Sequence, residues 1–236
     1  MNLKHHFLAI LMLALIGSLL FFTACEKDDD PETEETIKEG TVTDIEGNVY
    51  VTVQIDDQVW MAENLKTTTY NDGTAIDLVT DNNEWESDTT VAYCWYDNDE
   101  AQYADTYGAL YNWNVVSTGN LCPDGWHVPT YDEWMALEGY IVSSGHNGSE
   151  GTTLKATYGW GENGNGTNDY GFTALPGGCR YSPGHFYGIG EIGRWWTASD
   201  FGTGSAHSRG LSADENTVGK YAYIYQLGFS VRCVQD

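Results

Sequence analysis

Three groups of side chains could do chemistry. The first is sulfur: Cys25, Cys94, Cys122, Cys179 and Cys233 in a chain of 236 residues. The last four are separated by 28, 57 and 54 residues, whereas thiolate zinc sites set their cysteines only about two to four residues apart. No Cys-x-x-Cys occurs, so exchange of the thioredoxin type is not expected. An even count in an oxidising compartment favours two disulfides, for which three pairings are open. The pairing expected is Cys122–Cys233 with Cys94–Cys179, because it ties the start of a helix segment to the last strand. The second group is oxygen: Asp97, Asp99 and Glu100 are clustered, with Asp105 near. A hard cation wants several carboxylate oxygens, so calcium is the metal such a turn would take. Ala101 stands where the third EF-hand ligand should be, and a solvated turn is the plainer reading. No other cofactor is expected.

The third group is aromatic. Trp85, Trp160, Tyr181, Phe186 and Tyr187 lie in Gly- or Asn-rich stretches, with Arg180 among them. Ring faces stack on sugars, and an arginine fork clamps a carboxylate or pairs with a core acid. Trp160, Arg180, Tyr181, Phe186 and Tyr187 are therefore the expected ligand-binding residues, set against the plainer reading that they pack irregular loops. The histidines offer less. Ser205-Ala206-His207-Ser208 has the residue types of a nucleophile and base but no G-x-S-x-G elbow. A hydrolase reading could use His127, His185 or His207 with a Ser or an acid, but His127, between Trp126 and Val128, reads as a packed, hydrogen-bonded histidine. No catalytic residue is assigned. Two G-x-G-x-x-G matches, at 159–164 and 188–193, open no predicted helix in a chain with 27 glycines, which sets dinucleotide binding aside.

Composition narrows the class. The chain has 35 acidic and 10 basic residues, a formal charge of −25. That field repels phosphate, so nucleic acid is excluded as a partner. It also carries 9 Trp, 16 Tyr and 7 Phe, too many aromatics for an acidic disordered chain.

The elements that position these groups follow from periodicity. Val49–Ile55 is β-branched and partly alternating, and Val59-Trp60-Met61 returns after the turn pair Asp56-Asp57. A helix is predicted over Tyr107–Val116, ended by Gly119. A second has the reciprocal cap Thr130/Glu133, with Trp134, Leu137 and Ile141 on one face and Ser143-Ser144-Gly145 as its stop. Gly159–Asn168 is loop. Strand-sized runs follow at Phe172–Leu175, Trp195–Ala198, Tyr221–Tyr225 and Phe229–Val234. Helices first and short strands later read as α+β with an antiparallel sheet.

The N-terminus reads as an address. Lys4, His5 and His6 precede the apolar run Phe7–Phe22, and small residues then lead to a cysteine, the order of a secretory signal. The run falls short of the ~20 apolar residues of a membrane-spanning helix. Phe22-Thr23-Ala24-Cys25 resembles the bacterial lipobox, which implies a signal peptide over 1–24, lipidation of Cys25 and a membrane anchor. Residues 26–39 contain eight acids, so 25–39 is expected to be a self-repelling disordered tether. Its Lys-Asp-Asp-Asp resembles the surface-export signal of Bacteroidetes lipoproteins, which implies an outer-membrane, cell-surface location. Residues 40–236 are read as one domain.

Blocks spread through that domain carry a family resemblance: Val59-Trp60-Met61-Ala62-Glu63-Asn64-Leu65-Lys66, Tyr93-Cys94-Trp95-Tyr96-Asp97, Tyr107-Gly108-Ala109-Leu110-Tyr111-Asn112-Trp113, Cys122-Pro123-Asp124-Gly125-Trp126-His127-Val128-Pro129, Phe172-Thr173-Ala174-Leu175-Pro176-Gly177-Gly178, Trp195-Trp196-Thr197-Ala198-Ser199 and Gly228-Phe229-Ser230-Val231-Arg232-Cys233. Together they resemble the Fibrobacter succinogenes major paralogous domain. That family is similar in turn to C-type-lectin-like and formylglycine-generating-enzyme folds. The resemblance implies a twisted antiparallel sheet, two helices and long loops. It does not carry the enzyme's activity across, since a close cysteine pair is missing. Nor does it carry the calcium-dependent lectin mechanism, since Glu-Pro-Asn and Gln-Pro-Asp are absent. The expected function is non-catalytic recognition of a glycan or a surface protein, or else display and assembly without a small ligand, with an enzyme related to formylglycine-generating folds as the last alternative.

Overall fold

Val49–Ile55 becomes β2 because its buried positions, Tyr50, Thr52, Val53 and Ile55, leave Val49 and Val51 on the outside. Asp56, at φ 54°, turns the chain into β3 (Gln58–Met61), which pairs antiparallel with β2. The computed structural model that shows this describes residues 38–86, 91–161 and 163–236. The expected signal peptide, Cys25 and nearly all of the expected tether lie outside those residues. Among the described residues no helix is long and apolar enough to cross a membrane.

In chain order the remaining elements are β1 (Glu39–Thr43), β4 (Asp77–Leu78), α1 (Asn82–Trp85), β5 (Ala92–Cys94), α2 (Glu100–Tyr107), β6 (Leu110–Tyr111), α3 (Trp113–Val116), β7 (Trp126–His127), α4 (Tyr131–Ile141), α5 (Glu150–Leu154), β8 (Gly177–Arg180), β9 (Phe186–Ile189), β10 (Ile192–Gly202), β11 (Ser205–Ser212), β12 (Gly219–Ile224) and β13 (Val234–Gln235). They form three sheets, β1-β2-β3-β13-β7, β12-β11-β10-β8-β9 and β4-β5-β6. The class is α+β. It is not purely antiparallel, for β10 runs parallel to β8 and β4 to β5.

Helix α4 forms where the cap predicts it. Thr130 Oγ1 accepts from the Glu133 amide at 3.2 Å, and Glu133 Oε2 accepts from the Thr130 amide at 2.7 Å. Its inward face carries Trp134, Leu137 and Ile141 into a core with Trp60, Phe172 and Trp195. Trp60 and Trp134 meet edge to face, with centroids 5.0 Å apart. Consecutive residues of β10 serve opposite faces of its sheet. Trp195 joins the core under α4, and Trp196 joins a second core with Tyr111, Trp113 and Phe229.

The helix predicted over Tyr107–Val116 is not one element. Tyr107 ends α2, β6 follows, and α3 begins at Trp113. Gly108 makes the break, at φ 72°. A Cβ there would stand 2.6 Å from the Leu65 carbonyl oxygen, so the chain passes too close for a helix surface. Phe172–Leu175 makes a single bridge, Ala174 to Lys155, rather than a strand.

One of the two expected disulfides is present. Cys122 and Cys233 are bonded, joining the segment before β7 to the segment before β13. The Cys94–Cys179 bond is not, and both are free, buried thiols. Adjacent residues of β8 point to opposite faces. The Arg180 side chain reaches the Cys94 thiol, while Cys179 Sγ turns the other way, toward the Tyr187 carbonyl at 3.6 Å. Burial pushes each of these thiols up to about 12, so neither is a reactive nucleophile.

Candidate functional site

Two of the five expected ligand-binding residues belong to the interior. Arg180 is wholly buried. Nε donates to the Gly184 carbonyl at 3.1 Å, Nη1 to the Val79 carbonyl at 2.6 Å, and Nη2 to the Thr80 carbonyl and Asn82 Oδ1, both at 3.0 Å. Its guanidinium lies 4.3 Å from the Trp85 ring and 5.0 Å from that of Phe186. It is a strut between the 79–82 segment and the β8–β9 hairpin, held by carbonyls rather than by a core acid. Trp160 is buried as well, its indole N–H donating to the Ala174 carbonyl at 2.9 Å. Phe186 is half-buried against Tyr96 and Arg180. Tyr181 and Tyr187 remain, with Tyr187 62% exposed.

The acidic cluster does not gather. Asp99 is the N-cap of α2 and accepts from the Gln102 amide at 3.1 Å, and Asp97 sits at φ 51° in the preceding turn. Among the described residues no three His, Cys, Asp or Glu side chains converge to hold a metal ion. The calcium reading of Asp97, Asp99 and Glu100 is therefore withdrawn.

The histidines are engaged in packing and ion pairing. His207 lies between Tyr131 and Phe201, with ring centroids 4.6 and 5.0 Å away. His127 is clamped, Nδ1 at 2.7 Å from Asp236 Oδ1 and Nε2 at 2.7 Å from Glu133 Oε1. Burial opposes its charge, but the hydrogen bonds from Asp236 and Glu133 outweigh it and hold the imidazole above the ordinary histidine value. With both ring nitrogens occupied, His127 joins β7, α4 and the last residue rather than serving as a free base.

A different set of residues converges on the sheet that carries Tyr181 and Tyr187. Tyr187 is opposite Cys179. On β10 Arg194 is opposite Gly210 of β11, which pairs with Gly219 of β12, and Tyr221 and Tyr223 follow Gly219 at alternate positions. All therefore share one face. The Arg194 guanidinium lies over the Tyr221 ring at 4.3 Å. Tyr181 is 6.2 Å from Tyr187 and 6.3 Å from Tyr223, which is 5.7 Å from Tyr221. Gly210 and Gly219 make the room: a Cβ at Gly210 would collide with Arg194 Nη1, and one at Gly219 with the Tyr221 ring. Burial works against the arginine's charge, but a hydrogen bond to Tyr221 and the nearby Tyr223 and Tyr181 hydroxyls raise its pKa. Its Nε is buried without a hydrogen-bond partner, and among the described residues no carboxylate pairs with it.

A deeper cavity lies elsewhere. A cavity of about 540 Å³ is lined by Glu63, Asn64, Lys66, Asp105, Tyr158 and Arg232, among others. Several of its polar side chains are already used inside the protein. Asn64 Oδ1 accepts from Trp195 Nε1 at 2.9 Å and Arg232 Nε at 3.0 Å, and its amide donates to the Tyr107 carbonyl at 2.8 Å. Arg232 also donates to the Phe172 and Thr173 carbonyls, and burial depresses its pKa to about 9. Lys66 pairs with Asp105 at 3.3 Å. A ligand there would find few groups free to bind it, whereas the tyrosine face holds a cation that lacks its anion.

Arg194, Tyr221 and Tyr223 were not among the residues expected from sequence. Their signal was present in Gly219-Lys220-Tyr221-Ala222-Tyr223, an aromatic at every second residue of a strand. No curated protein and no solved structure gives a match to the chain. The model of the Fibrobacter succinogenes major domain matches residues 53–235, from β2 to the end of β13. With most of its length so matched, the chain belongs to the Fibrobacter succinogenes major domain family.

Proposed function

We propose that this is a lipid-anchored recognition protein, held in the outer membrane through Cys25 and displaying a C-type-lectin-like, non-catalytic domain that binds glycans at the cell surface. The observation that carries the reading is the tyrosine face: Tyr181, Tyr221 and Tyr223, each half-buried, lie about Arg194, which has no carboxylate partner among the described residues, and the exposed Tyr187 adjoins Tyr181. A tyrosine ring offers a sugar an apolar plane, and its hydroxyl a hydrogen bond, at little entropic cost. Flat aromatic surface with a few fixed polar groups suits a polyhydroxylated chain better than an enclosed small molecule. The acidic tether would hold the domain clear of the membrane.

A glycan array probed with the full-length protein tests this. Binding to a glycan class, weakened about tenfold or more by Tyr187→Ala, supports the reading. Tyr187 is exposed, so its loss leaves the melting temperature unchanged. No glycan bound, or unchanged binding by the variant, refutes it. A protein captured in place of a glycan would make the domain a display or assembly module.

A further inference from the structure

Resting on that reading, we infer that the ligand is an acidic sugar whose carboxylate seats in the guanidinium fork of Arg194 while its ring lies against the neighbouring tyrosines. The four arginines of the domain make the contrast. Arg180 has four internal acceptors. Arg209 has the Glu138 carboxylate at 2.7 Å and the Tyr131 carbonyl at 3.3 Å. Arg232 has Asn64 and the carbonyls of Phe172 and Thr173. Arg194 alone is left with a buried Nε that has no partner and no acid in reach among the described residues.

The surroundings say what would complete it. The Tyr221 ring lies against one face of the guanidinium and Tyr221 also accepts one of its hydrogen bonds, which leaves the remaining N–H donors for a further acceptor, and arginine takes a carboxylate through paired in-plane hydrogen bonds. Tyr181 and Tyr223 flank this position and Tyr187 extends the surface outward. Gly210 lets the guanidinium lie close against the sheet, and Gly219 does the same for the Tyr221 ring. A chain of formal charge −25 disfavours densely charged polyanions at every approach. It tolerates one carboxylate that is desolvated against an arginine, which is what a uronic acid within a glycan presents.

The test compares an otherwise neutral oligosaccharide bearing a single terminal glucuronic acid with its methyl ester, binding each to the full-length protein by calorimetry. The acid form should bind about tenfold or more tighter than the ester, as expected for a charge-assisted pair. Arg194→Gln should erase that preference and Arg194→Lys should keep only part of it. Equal binding of acid and ester by the unaltered protein overturns the inference without needing any variant, and leaves the glycan reading standing. Retention of the preference in a folded Arg194→Gln protein also overturns it. If neither form binds, the inference fails, and the glycan array decides separately whether the recognition reading fails with it.

Discussion

Replacing Cys122 and Cys233 together by alanine should destabilise the domain by several kcal/mol. The bond spans 111 residues and both cysteines are buried. Cross-linking a loop of that length removes chain entropy worth about 5 kcal/mol from the unfolded state in the polymer model. Residual structure in the unfolded chain lowers this, so a loss of about 3–5 kcal/mol is expected. For a domain of about 200 residues, roughly 2–4 °C of melting temperature accompanies each kcal/mol, giving a fall of roughly 6–20 °C. The assay is thermal unfolding of both proteins without reductant, paired with alkylation of the unaltered chain before and after denaturation. Cys94 and Cys179 should resist alkylation in the folded protein and both react once it is unfolded. Cys25 adds a third reactive thiol unless an acyl chain blocks it. A fall below about 2 °C would refute the loop-entropy reasoning. Denatured protein in which Cys94 and Cys179 stay unreactive would refute their assignment as free.

Two further perturbations bear on the ion pairs. His127 has a folded-state pKa raised above its unfolded value, so its clamp stabilises the fold fully below the ordinary histidine pKa, and that contribution disappears as pH rises through the higher folded value. An NMR titration should place the imidazole above about 6.5, and a midpoint at or below it would contradict the clamp. Glu138 Oε1 meets the fully buried Arg209 at 2.7 Å, while its other oxygen meets Lys220 at 2.9 Å. Glu138→Gln leaves that guanidinium uncompensated and should cost about 3–5 kcal/mol in denaturant unfolding, whereas a loss under about 1 kcal/mol would show the pair to be dispensable.

What could be read in the chain was mostly local. The Thr130/Glu133 cap and the Trp134, Leu137, Ile141 stripe are signals within one helix, and the β2–β3 hairpin is a turn pair between two apolar runs. The misreadings concern contacts between distant segments. Tyr107–Val116 has helical spacing, and only the approach of Gly108 to Leu65 breaks it. β11 went unread because it fills its buried positions with Ala206, Ser208, Arg209 and Gly210 rather than with β-branched residues. Arg180 looks from its neighbours like a surface clamp. The carbonyls of Val79 and Thr80 that swallow it lie about a hundred positions earlier in the chain. The candidate site suffered similarly. Tyr181 and Tyr187 were visible as loop aromatics, but Arg194 becomes notable only when sheet register sets it beside Tyr221 and three other arginines are seen to be satisfied.

β13 lies between β3 and β7, with Val234 paired to Trp60 on one side and His127 on the other. A sheet whose early strands pair with one so much later in the sequence cannot close until that later segment has emerged. Until then β3 keeps a bare edge and Cys122 has no partner thiol to find. Closure of this sheet therefore does not proceed strand by strand along the sequence but waits on the distant segment that carries both β13 and Cys233.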